Sequence, residues 1–242
     1  MILSIFPGID LFGRAFEEEG YCVVRGPDLI YGGTIKTFHP PRGIFSGIIG
    51  GPPCQAFSKL RHLVIAHGYD VAPNMIPEFE RVVHEAQPGW FCMENVEEAP
   101  EPVVDGYQVS SHVYNNRWTG ADQNRVRRFS FGTPDGRPLI LEEELWHSQN
   151  WEPAVLAHGG DRLVSRGVGP KSKGKRSLLR EMGYQSMAYF RHAVRLQGLP
   201  EGFDLPGMTV VGKIKCVGNG VPLPMGREIA RAIKRAMEVR ST

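Results

Sequence analysis

Apolar and polar positions along this chain fall into short strand-like runs separated by stretches of helical period. Residues 3–9, LSIFPGI, read as a first strand ending at a glycine-containing turn, and residues 14–20, RAFEEEG, as a helix closed by Gly20. YCVVRGPD at 21–28 is a second strand running into an acid. GIFSGIIGGPP at 43–53 is another, stopped by two prolines. Phe79, Val82, Val83 and Ala86 recur at helical spacing between Pro77 and Pro88, which predicts a helix there. WFCMENV at 90–96, YQVSSHVY at 107–114 and RRFSFG at 127–132 are further strand candidates. Strands alternating with helices predict an α/β fold, a mostly parallel sheet with helices on both faces. The alternation stops near residue 134. It resumes at the end, where Ile229, Ile233, Ala236 and Met237 share one face of an amphipathic helix and Arg227, Arg231, Lys234 and Arg235 lie elsewhere.

With 242 residues the chain can form one large α/β domain, or one with a small lobe. A hydrophobic fraction of 41% supplies a core, and 22% charged residues is ordinary for a soluble protein. No apolar run is long enough to span a membrane and no basic-then-apolar leader opens the chain, so the expected location is cytoplasmic. The four cysteines, Cys22, Cys54, Cys92 and Cys216, form no CxxC pair, and no metal site is expected. Cys22 and Cys92 lie in apolar runs and read as small buried residues. The net charge of +2 hides a local concentration: residues 151–190 hold seven Lys or Arg against three acids, centred on SRGVGPKSKGKRS. That composition predicts a segment that is mobile or orders against a partner, and in an enzyme-like layout a phosphate-facing one.

Cys54 stands apart from the other thiols. It follows GIIGG and two prolines, which fix φ and remove two backbone donors, so neither helix nor regular sheet passes through it. The thiol is thereby placed on a stiff turn at a strand end, where α/β proteins tend to carry their chemistry.

Four short motifs surround this thiol in order: GGPPCQAFS at 50–58, MENV at 93–96, QNRVRR at 123–128 and GNGVPLPMGREIARAI at 218–233, the last preceded by RLQGLP at 195–200. Together, in this order, they closely resemble the C5-cytosine-specific DNA methyltransferase family. The resemblance covers roughly residues 1–135 and 190–242. It implies a Rossmann-like S-adenosylmethionine-dependent sheet with helices on both faces, plus a small basic target-recognition lobe. The divisions expected are a catalytic and cofactor-binding core at 1–135, the lobe at 136–190, and a segment at 191–242 returning to the core.

The chemistry explains the residue types. C5 of cytosine is not nucleophilic; a thiolate adding at C6 makes it enamine-like, able to attack an electrophilic methyl group. Cys54 is the expected nucleophile, and positive surroundings would favour its thiolate. Glu94 suits proton sharing with N3 of the ring. Arg125 and Arg127 alternate along a strand and so point to one face, Arg127 toward the base carbonyl and Glu94, Arg125 steadying the nucleophile loop. On the cofactor side the resemblance implies Phe6, Gly8 and Ile9 of the first loop, Asp28 for the ribose hydroxyls, Leu29, Thr34, Ile35, Pro53, Val221, and Asn219 at the start of the last helix.

Departures from the family pattern cluster on that cofactor side. The family usually reads DxFxGxG at the first loop; here Ser4 stands for the acid and Asp10 for the second glycine. Thr34 replaces an acid further on, and Ser46 another before GGPPC. Hydroxyls still accept hydrogen bonds, so cofactor binding is expected to be weaker than usual but retained, because Phe6, Gly8, Asp28 and Asn219 remain. Target cytosines in a duplex must be flipped out. Residues 55–74 form an expected closing loop, with Ser58, Lys59, Arg61 and His62 toward the nucleic acid and Gln55 as a candidate wedge. Gln123, Lys171, Lys173, Lys175 and Arg176 are further expected contacts to double-stranded DNA. Trp146, Trp151 and Tyr184 are candidates for the lobe's small core. So short a lobe predicts a short or relaxed target site. The implied protein is a monomeric modification enzyme of a bacterial or phage-infected cell, with no membrane partner. An RNA cytosine-5 methyltransferase and a catalytically silent nucleic-acid-binding relative stay open as alternatives.

Overall fold

The computed structural model describes residues 1–57, 73–155 and 186–238, with only the backbone of Gln55. Eight strands and five α-helices lie within those residues. They are β1 (Ile2–Ile5), α1 (Leu11–Glu18), β2 (Val23–Arg25), β3 (Gly47–Gly50), α2 (Ile76–Ala86), β4 (Trp90–Asn95), β5 (Gln108–Asn115), β6 (Gln123–Asn124), β7 (Val126–Thr133), β8 (Glu152–Pro153), α3 (Met187–Leu196), α4 (Val210–Asn219) and α5 (Leu223–Glu238).

Six strands form one sheet in the order β2-β1-β3-β4-β7-β5. The first four are mutually parallel; β7 runs antiparallel to both β4 and β5. The order reverses between β1 and β3, so the crevice beyond their carboxyl ends is the place where a sheet of this kind receives ligands.

Strand parity sorts the side chains between two cores. Ile2, Ile49, Trp90, Cys92, Phe129 and Phe131 meet Phe12 and Phe16 of α1 and Met225, Ile229 and Ile233 of α5. Leu3, Ile5, Ile48, Phe91 and Met93 point the other way, onto Phe79, Val82 and Val83 of α2. A third cluster joins Leu11 and Ala15 of α1 to Phe190, Ala193 and Val194 of α3 and Ile214 and Val217 of α4. Each fully buried Phe or Ile of this kind contributes roughly 1.5–3 kcal/mol. Glycine is required where strands carry rings over them: a Cβ on Gly47 would sit 2.2 Å from the Trp90 indole, and one on Gly132 2.3 Å from the Phe91 ring.

The sheet with helices on both faces is the architecture expected, and α2 spans the predicted interval. Two details differ. Cys22 is exposed rather than buried, because β2 begins only at Val23 and is the edge strand. Ser46 precedes β3 and donates to the Met1 carbonyl at 2.9 Å; the strand, at ~3.3 Å per residue, separates it from the cofactor side. Residues 136–145 run along α5: Leu139 is buried in the first core, Arg235 donates to the Ile140 carbonyl, and Glu228 accepts from the Glu142 N–H. Among the described residues no helix is long and apolar enough to cross a membrane, and no three His, Cys, Asp or Glu converge as a metal site.

Candidate active site

β3 ends in Gly50, where a Cβ would lie 2.7 Å from the Ile5 carbonyl. The chain then turns through Gly51, Pro52 and Pro53 into a 3-10 turn, Cys54–Ala56. Asn95, buried at the end of β4, fixes this corner by donating to the Pro52 carbonyl at 3.2 Å and accepting from Val96 N–H at 2.9 Å. The Cys54 thiol is half-buried at the crevice.

Glu94 has the parity of Trp90 and Cys92 and therefore emerges on the α1/α5 side of the sheet. On β7, Arg127 shares a face with Phe129, the register partner of Glu94. The two charges meet, Arg127 Nε to Glu94 Oε1 at 2.9 Å, both largely buried. Gly51 leaves room for the second carboxylate oxygen; a Cβ there would sit 2.9 Å from Oε2. Arg125 lies between β6 and β7, 3% exposed, and donates to the carbonyls of Val155 (3.3 Å) and Gly218 (3.1 Å).

Electrostatics joins the four groups. Burial pushes the Cys54 thiol above its ordinary range and the Glu94 charge adds to this, while Arg127 and then Arg125 oppose it. Burial, with the nearby Arg127 charge, brings Arg125 down to about 9, so it stays cationic at neutral pH. The chain thus brings Cys54, Glu94, Arg127 and Arg125 together. Arg125 differs from expectation in one respect. Among the described residues its hydrogen bonds go to Val155 and Gly218, because the guanidinium is buried where the chain crosses from β6 to β7.

The other crevice wall is the loop after β1. Phe6, Gly8 and Asp10 all have positive φ, at 53°, 56° and 55°. Gly8 N–H donates to Asp28 Oδ2 at 2.9 Å, and Ile30 N–H to Asp28 Oδ1 at 2.9 Å. A carboxylate has about four acceptor sites, so Asp28 keeps capacity for a diol. Leu29 is 82% exposed and Tyr31 70%, apolar surface beside that carboxylate. A ribose-bearing cofactor with a planar base fits these residues. Phe6 is half-buried and Ile9 packs partly against the third core. Thr34 caps the turn Ile35–Thr37, accepting from Lys36 N–H, and Pro53 precedes the Cys54 turn.

Several expectations are corrected. Gln123 is wholly buried and faces no nucleic acid; its Nε2 donates to the Leu196 carbonyl at 3.1 Å, joining β6 to α3. Asn219 is exposed and ends α4 instead of starting the last helix, which begins at Leu223. Ile35 and Val221 are core residues, 4% and 5% exposed. Trp146 is 75% exposed and no part of a core, whereas Trp151 lies beneath the Arg117 guanidinium, 5.2 Å from its ring centre. Ser58, Lys59, Arg61, His62, Lys171, Lys173, Lys175, Arg176, Tyr184 and the Gln55 side chain lie outside the described residues.

Sequence reasoning missed the arrangement at the base of the middle segment. Arg195 pairs with Asp122 (3.2 Å) and Glu152 (2.8 Å), and His192 meets Glu152 at 2.6 Å. The short parallel ladder β6–β8 lies beside them. Nothing in the local sequence signals these contacts, since they join positions up to 73 residues apart.

Known proteins share this layout. The Entamoeba histolytica methyltransferase EhMeth superposes with a TM-score of 0.61 over 98% of both chains at 11% identity, so the two chains share a fold. Residues 33–102 match the family model for C-5 cytosine-specific DNA methylase. The type II methyltransferase M.NgoPII of Neisseria gonorrhoeae is 23% identical over 336 aligned residues, covering 98% of this chain and 96% of the relative. The orphan methyltransferase M.SPRI of Bacillus phage SPR is 25% identical over 199, covering 67% and 44%. Over residues 33–102, and along most of its length at lower identity, the chain is similar to C-5 cytosine-specific DNA methylases.

Proposed function

We propose that this chain methylates C5 of cytosine in double-stranded DNA, using a transient bond from Cys54 to the ring. The observation that carries the reading is the grouping of one half-buried thiol with the Glu94–Arg127 pair and the buried Arg125 at adjoining strand ends.

The base enters the crevice after leaving its stack. Arg127 orients the carbonyl of the ring, and Glu94 takes up the proton released by the Cys54 thiol and shares it with N3. Sharing that proton weakens the negative field of Glu94 at Cys54, so binding of the base itself favours the thiolate. Sulfur adds to C6 and the electron pair moves to C5. Phe6, Gly8, Asp28 and Leu29 would hold S-adenosylmethionine, which would supply the electrophilic methyl group to C5 and leave as S-adenosylhomocysteine. Loss of the C5 proton to water then restores the double bond and expels Cys54. Residues 136–190 act as the target-recognition lobe, and their small extent argues for a short or relaxed site with strongly salt-dependent affinity.

A labelled-methyl assay on duplex DNA and on structured RNA tests the reading, with Cys54→Ala as control. Transfer to cytosine C5 of DNA, together with a covalent adduct on DNA containing 5-fluorocytosine, is expected. Transfer to RNA alone, or transfer surviving Cys54→Ala, would overturn it.

A further inference from the structure

The first loop contains a substitution pattern that its three-dimensional arrangement explains. Ser4, at the end of β1, and Asp10, six residues on, stand where the family pattern has an acid and a glycine. Ser4 Oγ donates to Asp10 Oδ1 at 2.7 Å, and both side chains are buried. The same carboxylate oxygen accepts Gly13 N–H at 3.0 Å, capping α1. The other lies 2.8 Å from Arg25 Nε. Asp10 N–H closes the turn onto the Pro7 carbonyl at 2.6 Å. Asp10 adopts the left-handed conformation that a glycine takes without cost and that Asp tolerates better than most residues.

We propose that Asp10 is a positioning residue for the cofactor loop, its carboxylate returned to Ser4 by the left-handed turn so that the pair fixes Phe6–Ile9. The acid has changed place in the chain but not in space. The loop between the two partners carries Phe6 and Gly8 in left-handed conformations, and Gly8 N–H points to Asp28. Losing the Ser4–Asp10 contact frees the loop at one end. The Asp28 contact and the Asp10 N–H bond to the Pro7 carbonyl then hold the residues that face the cofactor without a side-chain anchor at Ser4. This inference rests on the methyl-donor reading above and adds the residue that shapes its site.

The test is calorimetric titration of the full chain with S-adenosylhomocysteine, alongside thermal denaturation and cofactor-free binding to duplex DNA. Asp10→Gly removes the carboxylate while keeping the backbone conformation free of strain, and is expected to weaken binding about tenfold or more, as for a lost hydrogen bond to a charged group. Ser4→Ala, which leaves Asp10 and its helix cap in place, is expected to weaken it several-fold. The double exchange Ser4→Asp/Asp10→Gly is expected to restore affinity to within about threefold of the parent. DNA binding, which a general loss of fold would abolish, is expected to persist. Both single variants binding as the parent does would overturn the proposal, as would a double exchange no better than Asp10→Gly. If Asp10→Gly does not fold, Ser4→Ala and the double exchange decide the matter. If the parent chain binds nothing at millimolar concentration, the methyl-donor reading fails first, and this inference with it.

Discussion

Replacing Glu94 by glutamine separates two things the carboxylate does. In the resting protein it holds the Cys54 thiol up, after burial the largest influence in that direction. In the proposed reaction it serves the ring nitrogen. Glutamine keeps the shape and deletes the charge, so thiol reactivity should rise while methyl transfer falls. At the sulfur Arg127 opposes Glu94. Removing Glu94 leaves Arg127 unopposed there, and each ~1.4 kcal/mol of that change raises the thiolate fraction about tenfold at fixed pH. Methyl transfer should drop by about 10²–10⁴, the usual worth of a positioned acid–base group. The assay is the pH dependence of iodoacetamide labelling at the Cys54 peptide, read by mass spectrometry because the exposed Cys22 also reacts. A labelling profile that stays put, or moves to higher pH, would refute the electrical coupling on which the mechanism depends.

Arg127→Met should move the same labelling profile to higher pH, abolish trapping by 5-fluorocytosine DNA, and cost about 2–3 kcal/mol in denaturant unfolding, since it strands a largely buried carboxylate. Gly47→Ala should lower stability by at least about 1–3 kcal/mol because its Cβ meets the Trp90 ring. Gly202→Ala, with open space around it, serves as the neutral comparison in the same melts. Burial raises Asp10 despite its bonds to Ser4, Arg25 and Gly13. Its contribution is therefore fully present below the unfolded carboxylate value and is lost as pH rises through the higher folded one. Asp10→Asn should accordingly gain stability over the parent at neutral pH and lose that advantage in acid; chemical denaturation at both pH values checks this, and an advantage that grows in acid would contradict it.

Strand parity made much of the fold legible in advance. WFCMENV alternates between two cores, and the helical spacing of Phe79, Val82, Val83 and Ala86 marks α2. The motif order also selected the residues that converge: Cys54, Glu94, Arg125 and Arg127. Legibility failed where a side chain's fate depends on a remote partner. Gln123 looks like a polar contact residue until the Leu196 carbonyl covers it. Arg125 looks like a brace for its neighbour until burial turns it to Val155 and Gly218. Helices α3 and α4 carry weaker signals: Ser186 and Thr209 cap them, accepting from Tyr189 and Gly212 N–H, and Ile214 and Val217 repeat at helical spacing. The GNG sequence around Asn219 serves equally as a helix start and a helix stop, and here it stops α4.

Gln123 and Arg125 stand two positions apart, one tied to the Leu196 carbonyl and the other to that of Val155. The backbone therefore leaves and rejoins the catalytic unit at almost the same spot. Residues between Val155 and the start of α3 should be exchangeable like a cassette, since a longer insert adds only ~0.6 kcal/mol of closure entropy per doubling, whereas α3 itself belongs to the third core. Grafting a relative's longer insert between these two fasteners should change which sequences are modified while leaving the chemistry where it is.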